Sequence, residues 1–166
     1  MKIFINSLDS RFGPVHFAAD ESNLLALGLP NETATEFSAR MRTRYRNAEL
    51  DNGGRITDES AKQVLEYLNG DRTSFDLPLG LDTTPFQQRV LTAVRQIPYG
   101  RTMTYSEIAE AIGSPRAARA IGMANARNPL PLIIPCHRVV SRDGLGGYGG
   151  GLELKEALLS LEAGAR

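Results

Sequence analysis

The sequence predicts an α/β protein with two domains: an N-terminal α/β domain over residues 1–79 and a mostly α-helical C-terminal domain over residues 80–166. Three observations support this. A length of 166 residues accommodates one domain or two small ones. Strand-like stretches come first and helical patterns dominate later. Finally, the Leu-Pro-Leu-Gly stretch at Leu77–Gly80 separates an acidic first half, with nine basic and twelve acidic residues, from a basic second half, with ten and seven.

Short alternating stretches predict a small antiparallel sheet at the start of the first domain. The predicted strands are Lys2–Asn6, Gly13–Ala19 and Leu24–Leu29, and the turn-rich segments between them are Ser7–Phe12 and Asp20–Asn23. The elements predicted after the sheet are a helix over Glu32–Arg46, a loop over Asn47–Arg55 and a second helix from Thr57 to about Leu68. We see no chemical motif in this half, and His16 is interpreted as a packing or surface residue.

The second domain begins with a helix at Thr84-Pro85-Phe86, where proline suits the first turn. A helix-turn-helix pattern follows. Its parts are a Thr104 cap, a helix over Tyr105–Ile112, a turn at Gly113, a Ser114-Pro115 cap and a helix over Arg116–Ala124. The second of these helices exposes alanines and one protruding arginine, Arg119. Such a surface suits the minor groove of DNA, although two short helices around a glycine are common in any α-rich domain.

Cys136 is the single cysteine of the chain, and it precedes His137, one of only two histidines. It follows the apolar run Leu130–Ile134, which predicts a buried segment leading to the thiol. Free cysteine is often a small core residue, but beside histidine it is also a candidate nucleophile. The composition alone leaves both interpretations open.

Several classes of protein are excluded by what the sequence lacks. No run of 18 apolar residues is present and the N-terminus has no signal-peptide core, so we expect a cytoplasmic protein without membrane contact. One cysteine excludes an internal disulfide framework and any multi-cysteine zinc site, and we expect neither a metal nor a cofactor. The glycine-rich stretch over Gly144–Gly151 is either a loop that approaches a flat ligand or a flexible hairpin, and a last helix is predicted over Leu152–Ala163.

The stretch from Phe86 to Glu162 resembles the C-terminal domain of the O6-alkylguanine-DNA alkyltransferases, suicide enzymes that repair O6-methylguanine. The signature is Ile134-Pro135-Cys136-His137-Arg138-Val139, and the supporting matches, in order, are Thr104-Tyr105, Ala117–Gly122, Asn128-Pro129, Gly147-Tyr148 and Lys155–Leu159. The resemblance implies irreversible transfer of the alkyl group of O6-alkylguanine to Cys136, with O4-alkylthymine as a second candidate substrate. It also implies a monomer that binds double-stranded DNA through the minor groove and flips the damaged base out of the helix.

By this resemblance Cys136 attacks the alkyl carbon, His137 takes the thiol proton through a bridging water, and Glu162 holds the imidazole. A glutamate partner favours imidazolium, so we expect thiolate and imidazolium to coexist near neutral pH. The segment is expected to be extended, and adjacent side chains would then point to opposite faces, which agrees with a water between the two groups.

The resemblance also implies residues that bind DNA and the flipped base. Arg119 fills the space left by the base, Tyr105 crowds the flanking phosphate and protonates guanine N3, and Asn128 ties the helix-turn-helix to the active-site backbone. The remaining implied positions are Thr104, Ala118 and Ala120 for DNA, and Val139, Tyr148, Gly149 and Lys155 for structure and substrate. Gly149 stands where many members have a serine that helps to bind guanine O6, so this contact must come from a backbone amide or elsewhere.

Two alternatives remain at this point. A cysteine hydrolase that uses Cys136 and His137 would regenerate its thiol with water and turn over acyl substrates. A non-enzymatic protein that binds alkylated DNA lesions would need no nucleophile, and relatives of that kind usually lack the cysteine.

Overall fold

The computed structural model describes residues 1–164, so the last two residues of the predicted second domain lie outside the described residues. The chain divides into two compact units, residues 1–80 and residues 81 onwards. The predicted α/β class is confirmed. None of the helices within residues 1–164 is long and apolar enough to cross a membrane.

The first unit contains a four-stranded sheet in the order β3-β2-β1-β4. Its strands are β1 (Lys2–Ser10), β2 (Gly13–Ala19), β3 (Leu24–Gly28) and β4 (Glu49–Asn52). The first three pair antiparallel, as predicted, but β4 pairs parallel with β1, so the sheet is mixed. The loop predicted over Asn47–Arg55 therefore contains a strand. Its sequence, Glu-Leu-Asp-Asn, is an exposed edge with only Leu50 half-buried, and so it lacks the alternating pattern that identifies a strand.

The first strand is also longer than predicted. Ser7 to Ser10 have the composition of a turn, yet they pair with β2 down to the register Ser10↔Gly13. The actual turn is confined to Arg11 and Phe12. Pairing with a neighbouring strand here overrides the weak strand propensity of serine and aspartate.

Two helices complete the first unit. The helix α1 (Ala34–Arg44) begins with a capping box in which the Thr33 side chain accepts the Glu36 amide and the Glu36 side chain accepts the Thr33 amide. The helix α2 (Arg55–Leu68) starts two residues earlier than predicted, at a glycine N-cap. The residues that form the core between α1 and the sheet are Ile3, Ala18, Ala26, Phe37 and Met41.

Within residues 81–164, the second unit contains four α-helices and one small parallel strand pair. They are α3 (Pro85–Arg95), β5 (Met103–Thr104), α4 (Tyr105–Ala111), α5 (Ala118–Ala126), β6 (Val139–Val140) and α6 (Leu152–Gly164). The helices α3, α4 and α5 pack on one another. Since β5 pairs with β6 in the register Met103↔Val139, the start of α4 lies beside the segment that follows Cys136.

The start of α5 differs from the prediction. Ser114-Pro115 does not cap this helix; the amide of Ala117 donates to the Ser114 carbonyl at 2.9 Å, which forms a turn. The helix then begins at Ala118, after an Ala117 N-cap without a side-chain hydrogen bond. Serine and proline favour the first two positions of a turn as strongly as a helix start, and here the turn forms.

Candidate active site

The apolar run before Cys136 is buried but is not a strand. The amide of Ile134 donates to the Leu130 carbonyl at 2.9 Å, which closes a turn. Leu132 within this turn has a φ of 73° although it is not a glycine, and its side chain is buried. A left-handed conformation costs such a residue about 1–2 kcal/mol, so burial of the leucine has to offset local strain directly before the thiol.

Cys136 lies in a short 3-10 turn, Cys136–Arg138, where an extended segment was expected. The Pro135 carbonyl accepts the Arg138 amide at 2.9 Å and holds this turn. A 3-10 helix has three residues per turn, so consecutive side chains still diverge by a third of a turn. Cys136 and His137 therefore do not face one another, and the expectation that a water relays the proton remains compatible with the corrected geometry.

Two asparagines attach the active-site turn to α5 and the residues just after it. Asn128 Nδ2 donates to the Ile134 carbonyl at 2.8 Å, while Asn128 Oδ1 accepts the Leu130 amide at 2.9 Å. Asn125 Nδ2 donates to the Cys136 carbonyl at 3.3 Å. Asn128 thus contacts the active-site backbone, as the family resemblance implied, and Asn125 adds a second link that was not predicted.

Replacing Asn128 with alanine is expected to destabilise the protein by about 1–3 kcal/mol, because a buried carbonyl and amide lose their partner. The active-site turn loses its anchor at the same time, so we expect slower transfer of an alkyl group to Cys136, the reaction that the family resemblance implies. Urea unfolding measures the first effect and timed mass spectrometry the second. Exposed Gln88→Ala in α3 is the matched amide control, and equal behaviour of the two variants would contradict the anchoring role.

Glu162 is the centre of a buried charge network. Its Oε2 accepts His137 Nε2 at 2.7 Å and Arg138 Nη2 at 3.0 Å, and its Oε1 accepts Arg138 Nε at 2.8 Å and the Gly100 amide at 3.2 Å. Arg138 Nη1 also donates to the Ile97 carbonyl at 2.8 Å. Glu162 and His137 are almost fully inaccessible to solvent, at 1% and 0% exposure. A lone helix-terminal glutamate would be solvated, whereas this one holds both a histidine and an arginine.

The same burial determines the protonation of the thiol and the imidazole. Burial raises the pKa of Cys136 to about 11, and it outweighs the hydrogen bond from Asn128 and the charge of Lys155, which act in the opposite direction. Burial likewise lowers the pKa of His137 against the opposing effect of Glu162, with the charge of Arg138 adding to the decrease. The expected thiolate and imidazolium pair is therefore wrong for the unliganded protein, whose resting state is a thiol beside a neutral imidazole.

This resting state predicts a steep pH dependence for the reaction of Cys136 with iodoacetamide. The thiolate is the reactive form, so the rate should rise about tenfold per pH unit from neutral pH towards 11, whereas a free thiol levels off above about 8.5. Timed intact-mass measurements on the free protein give the rate, with circular dichroism confirming the fold at each pH. A plateau near pH 8.5 would contradict a buried neutral thiol.

Lys155 is buried completely and supports the loop beside the site. Its Nζ donates to the Val139 carbonyl at 2.7 Å and to the Gly147 carbonyl at 3.0 Å. The Tyr148 ring lies edge-on to the His137 ring, with 6.5 Å between centroids, and burial raises the pKa of Tyr148. The Tyr148 hydroxyl has no hydrogen-bond partner among the described residues. Any contact of the Val139 carbonyl with a flipped base would have to be shared with Lys155.

The predicted DNA-binding residues lie at the start of α4 and on α5, the two helices of the helix-turn-helix. Arg119 and Ala120 are exposed on α5 and Ala118 is half-buried there. Thr104 accepts the Glu107 amide and so caps α4. Tyr105 is half-buried, and its hydroxyl lies close to Gly146 of the glycine loop. A Cβ at position 146 would be only 2.8 Å from this hydroxyl, so a residue without a side chain leaves room for it.

The remaining predicted position, Gly149, is exposed in the glycine loop.

Within residues 1–164 no group of three or more His, Cys, Asp and Glu side chains is arranged to hold a metal ion.

Two side chains that hold the site together, Arg138 and Asn125, were not predicted from the sequence. Arg138 belongs to the signature itself and lies between a buried segment and a strand. A buried guanidinium is stable only with an acidic partner, and this requirement could have indicated the pairing of Arg138 with Glu162. Asn125 carried no comparable signal, since asparagine near a helix end is most often a capping or surface residue.

Two family models together cover nearly all of the chain. The 6-O-methylguanine DNA methyltransferase, ribonuclease-like domain, matches residues 3–81, and the DNA binding domain of 6-O-methylguanine DNA methyltransferase matches residues 85–164. The chain belongs to the 6-O-methylguanine DNA methyltransferase family. The resemblance seen in the Ile134–Val139 signature is confirmed.

Similar proteins cover the chain almost end to end. A methylated-DNA–protein-cysteine methyltransferase of Methanosarcina barkeri is 43% identical over 162 residues, which are 96% of this chain and 97% of the relative. One from Mycobacterium leprae is 44% identical over 96% of this chain and 92% of its own length. The structure of Mycobacterium tuberculosis OGT in complex with DNA has a TM-score of 0.84 at 42% identity, covering 98% of this chain and 94% of that one.

Proposed function

We propose that this protein repairs DNA by moving the alkyl group of O6-alkylguanine onto its own Cys136, once per molecule. The observation that carries the proposal is the single cysteine, held in a hydrogen-bonded turn beside His137, which is paired with buried Glu162. Family membership and the names of the relatives support the same reaction. Neither a cysteine hydrolase nor a lesion-binding protein accounts for these findings as well.

His137 serves as the base in this proposal. A carboxylate accepts only, so the hydrogen of neutral His137 lies on Nε2 towards Glu162, and Nδ1 is the basic nitrogen. Nδ1 takes the proton of the Cys136 thiol through a bridging water. Glu162 then stabilises the imidazolium that forms, as an orienting carboxylate does for a catalytic histidine elsewhere.

The transfer itself is a displacement at carbon. Cys136 Sγ forms a bond to the alkyl carbon while the bond from that carbon to guanine O6 breaks, and the electron pair passes to the guanine. The Tyr105 hydroxyl donates a proton to guanine N3, which neutralises the leaving base. Because the resting thiol is neutral, its deprotonation is part of the reaction. In this proposal the thiol loses its proton and Tyr105 donates its proton in the transition state, where both transfers accelerate the reaction most.

The second unit supplies the DNA surface in this proposal. Reaching O6 requires the base to leave the stack, which costs a few kcal/mol. Arg119 protrudes from α5 and fills the vacated space, while the small side chains of Ala118 and Ala120 allow close approach to the minor groove of double-stranded DNA. Thr104 and Tyr105 contact the phosphate backbone at the start of α4.

The proposal also covers the pocket for the flipped base, the roles of the two domains and the cellular compartment. Val139, Tyr148, Gly149 and Lys155 shape the pocket for the flipped base, with a backbone amide of the glycine loop meeting O6. Residues 80–166 perform binding and transfer, and residues 1–79 form the variable α/β domain. The protein acts as a cytoplasmic monomer, where a reducing environment keeps one unpaired thiol available.

Mass spectrometry tests the proposal directly. After incubation with a duplex that contains one O6-methylguanine, the peptide with Cys136 should gain the mass of one methylene group. The gain should stop at one per molecule, since cellular reductants do not cleave a thioether. The same duplex with unmodified guanine is the control, and an unmodified Cys136 peptide after reaction with the methylated duplex would overturn the proposal.

A further inference from the structure

A second nucleophile and base pair lies in the first unit, within residues that the alkyl transfer does not use. Ser7 on β1 and His16 on β2 are direct cross-strand partners. Both line a cavity of about 400 Å³ between α1, the sheet and the turn after β4. A cavity of this volume is within the range that holds small ligands.

The hydrogen bonds of His16 determine which of its nitrogens is basic. Nε2 lies 2.9 Å from the main-chain carbonyl of Glu32, which only accepts, so in the neutral imidazole Nε2 carries the hydrogen. Nδ1 is therefore an acceptor, and it takes the hydrogen of the Ser7 hydroxyl at 2.7 Å. The Glu32 side chain is held elsewhere by Arg40, at 2.8 and 2.9 Å, which leaves its carbonyl as the group that orients the ring.

The two residues differ in exposure in the manner that catalysis needs. His16 is 2% exposed and its ring stacks on Phe37 at 5.5 Å, so the base is fixed. Ser7 is exposed, so its oxygen is accessible to a ligand. A nucleophile, a base within hydrogen-bond reach and a group that orients the base together form the arrangement that activates serine in hydrolases.

We propose that Ser7 is an activated nucleophile and that this cavity hydrolyses small uncharged carboxylic esters. Ser7 Oγ bonds to the ester carbonyl carbon as its proton passes to His16 Nδ1. The bond to the alcohol oxygen breaks, and the alcohol leaves with that proton. Water then attacks the acyl-serine, again with His16 as the base, and releases the carboxylic acid and free Ser7. No oxidant, metal or other reactant is required.

The lining of the cavity indicates this substrate class. The lining includes the apolar residues Ile5, Ala34 and Phe37, and its polar side chains other than His16 are neutral amides and hydroxyls. No aspartate, glutamate, lysine or arginine lines the cavity, so a charged ligand would be desolvated without a carboxylate, ammonium or guanidinium partner. Asn52 lines the same cavity, and its side-chain amide is the donor we assign to the oxygen that becomes negative during attack.

The test uses a Cys136→Ala protein, because the active-site thiol would also react with activated esters. With p-nitrophenyl acetate we expect a burst of one p-nitrophenolate per protein, followed by slow turnover, and an acetyl group on the peptide that contains Ser7. A fluorophosphonate probe should label the same peptide. Ser7→Ala, at an exposed position, should abolish burst and label, and His16→Gln should slow acylation about 100-fold or more.

Ser22→Ala is the matched control, because Ser22 is an exposed serine that does not line the cavity. It should keep the burst and the label. Folding of each variant is checked by circular dichroism and thermal unfolding. A p-nitrophenolate burst in Ser7→Ala equal to that of the protein with Ser7, or a probe that labels a different peptide, would overturn the proposal. If Asn52→Ala is acylated at an unchanged rate, Asn52 does not stabilise the oxyanion. Methyl uptake by Ser7→Ala with Cys136 intact should be unchanged, which separates this site from alkyl transfer.

Discussion

Cys136→Ala is expected to lose methyl uptake from O6-methylguanine DNA completely while it retains binding to the same duplex. The reaction needs a sulfur that becomes a thiolate, and the chain has no other cysteine to replace it. The thiol is 5% exposed inside a turn held by backbone hydrogen bonds, so its removal leaves the DNA surface unchanged. Transfer of labelled methyl groups measures the first property and fluorescence anisotropy the second.

Cys136→Ser is the closest control for this experiment. A serine preserves the volume and a polar hydrogen, but its hydroxyl does not ionise near neutral pH, so the variant should be as inactive as alanine. Both variants should bind methylated duplex within about a factor of two of the unaltered protein. A variant without the thiol that still accepts labelled methyl groups would place the acceptor on another residue.

The elements with strong local signals were predictable. Thr84-Pro85 begins α3 and Thr104 begins α4, since a capping side chain and a proline at the first turn act within three or four residues. The β4 edge strand and the late start of α5 were not predictable. The β4 strand forms because it pairs with β1, which is distant in sequence, and the start of α5 depends on competition between a turn and a helix at Ser114-Pro115.

In the candidate site, the identities of the reacting residues were predictable, whereas their protonation states were not. The family resemblance indicated Cys136, His137 and Glu162, and in the structure His137 Nε2 lies 2.7 Å from Glu162 Oε2. The protonation state was beyond the sequence, because it depends on complete burial, which no residue spacing reveals. The part of Arg138 in the network was missed for a related reason: its partner lies 24 residues away on another element.

Arg138→Met is expected to lower the free energy of unfolding by about 3–5 kcal/mol, because it leaves the carboxylate of Glu162 buried without its bidentate partner. Methionine keeps the apolar length of the side chain, so the loss reports on charge more than on volume. Urea unfolding at neutral pH measures it. Arg95→Met, at an exposed arginine of α3, is the matched control and should change stability by less than about 0.5 kcal/mol.

The same substitution should change the acid side of the pH profile in a definite direction. The charge of Arg138 lowers the pKa of His137, so removing it raises that pKa and protonates the base at a higher pH. Methyl transfer by Arg138→Met should therefore begin to fall at a higher pH than in the unaltered protein, as a titration of His137 by NMR can verify. A purely structural arginine would reduce the rate equally at every pH. Adding Glu162→Gln should restore part of the stability, since it removes the unpaired charge that makes the single variant unstable.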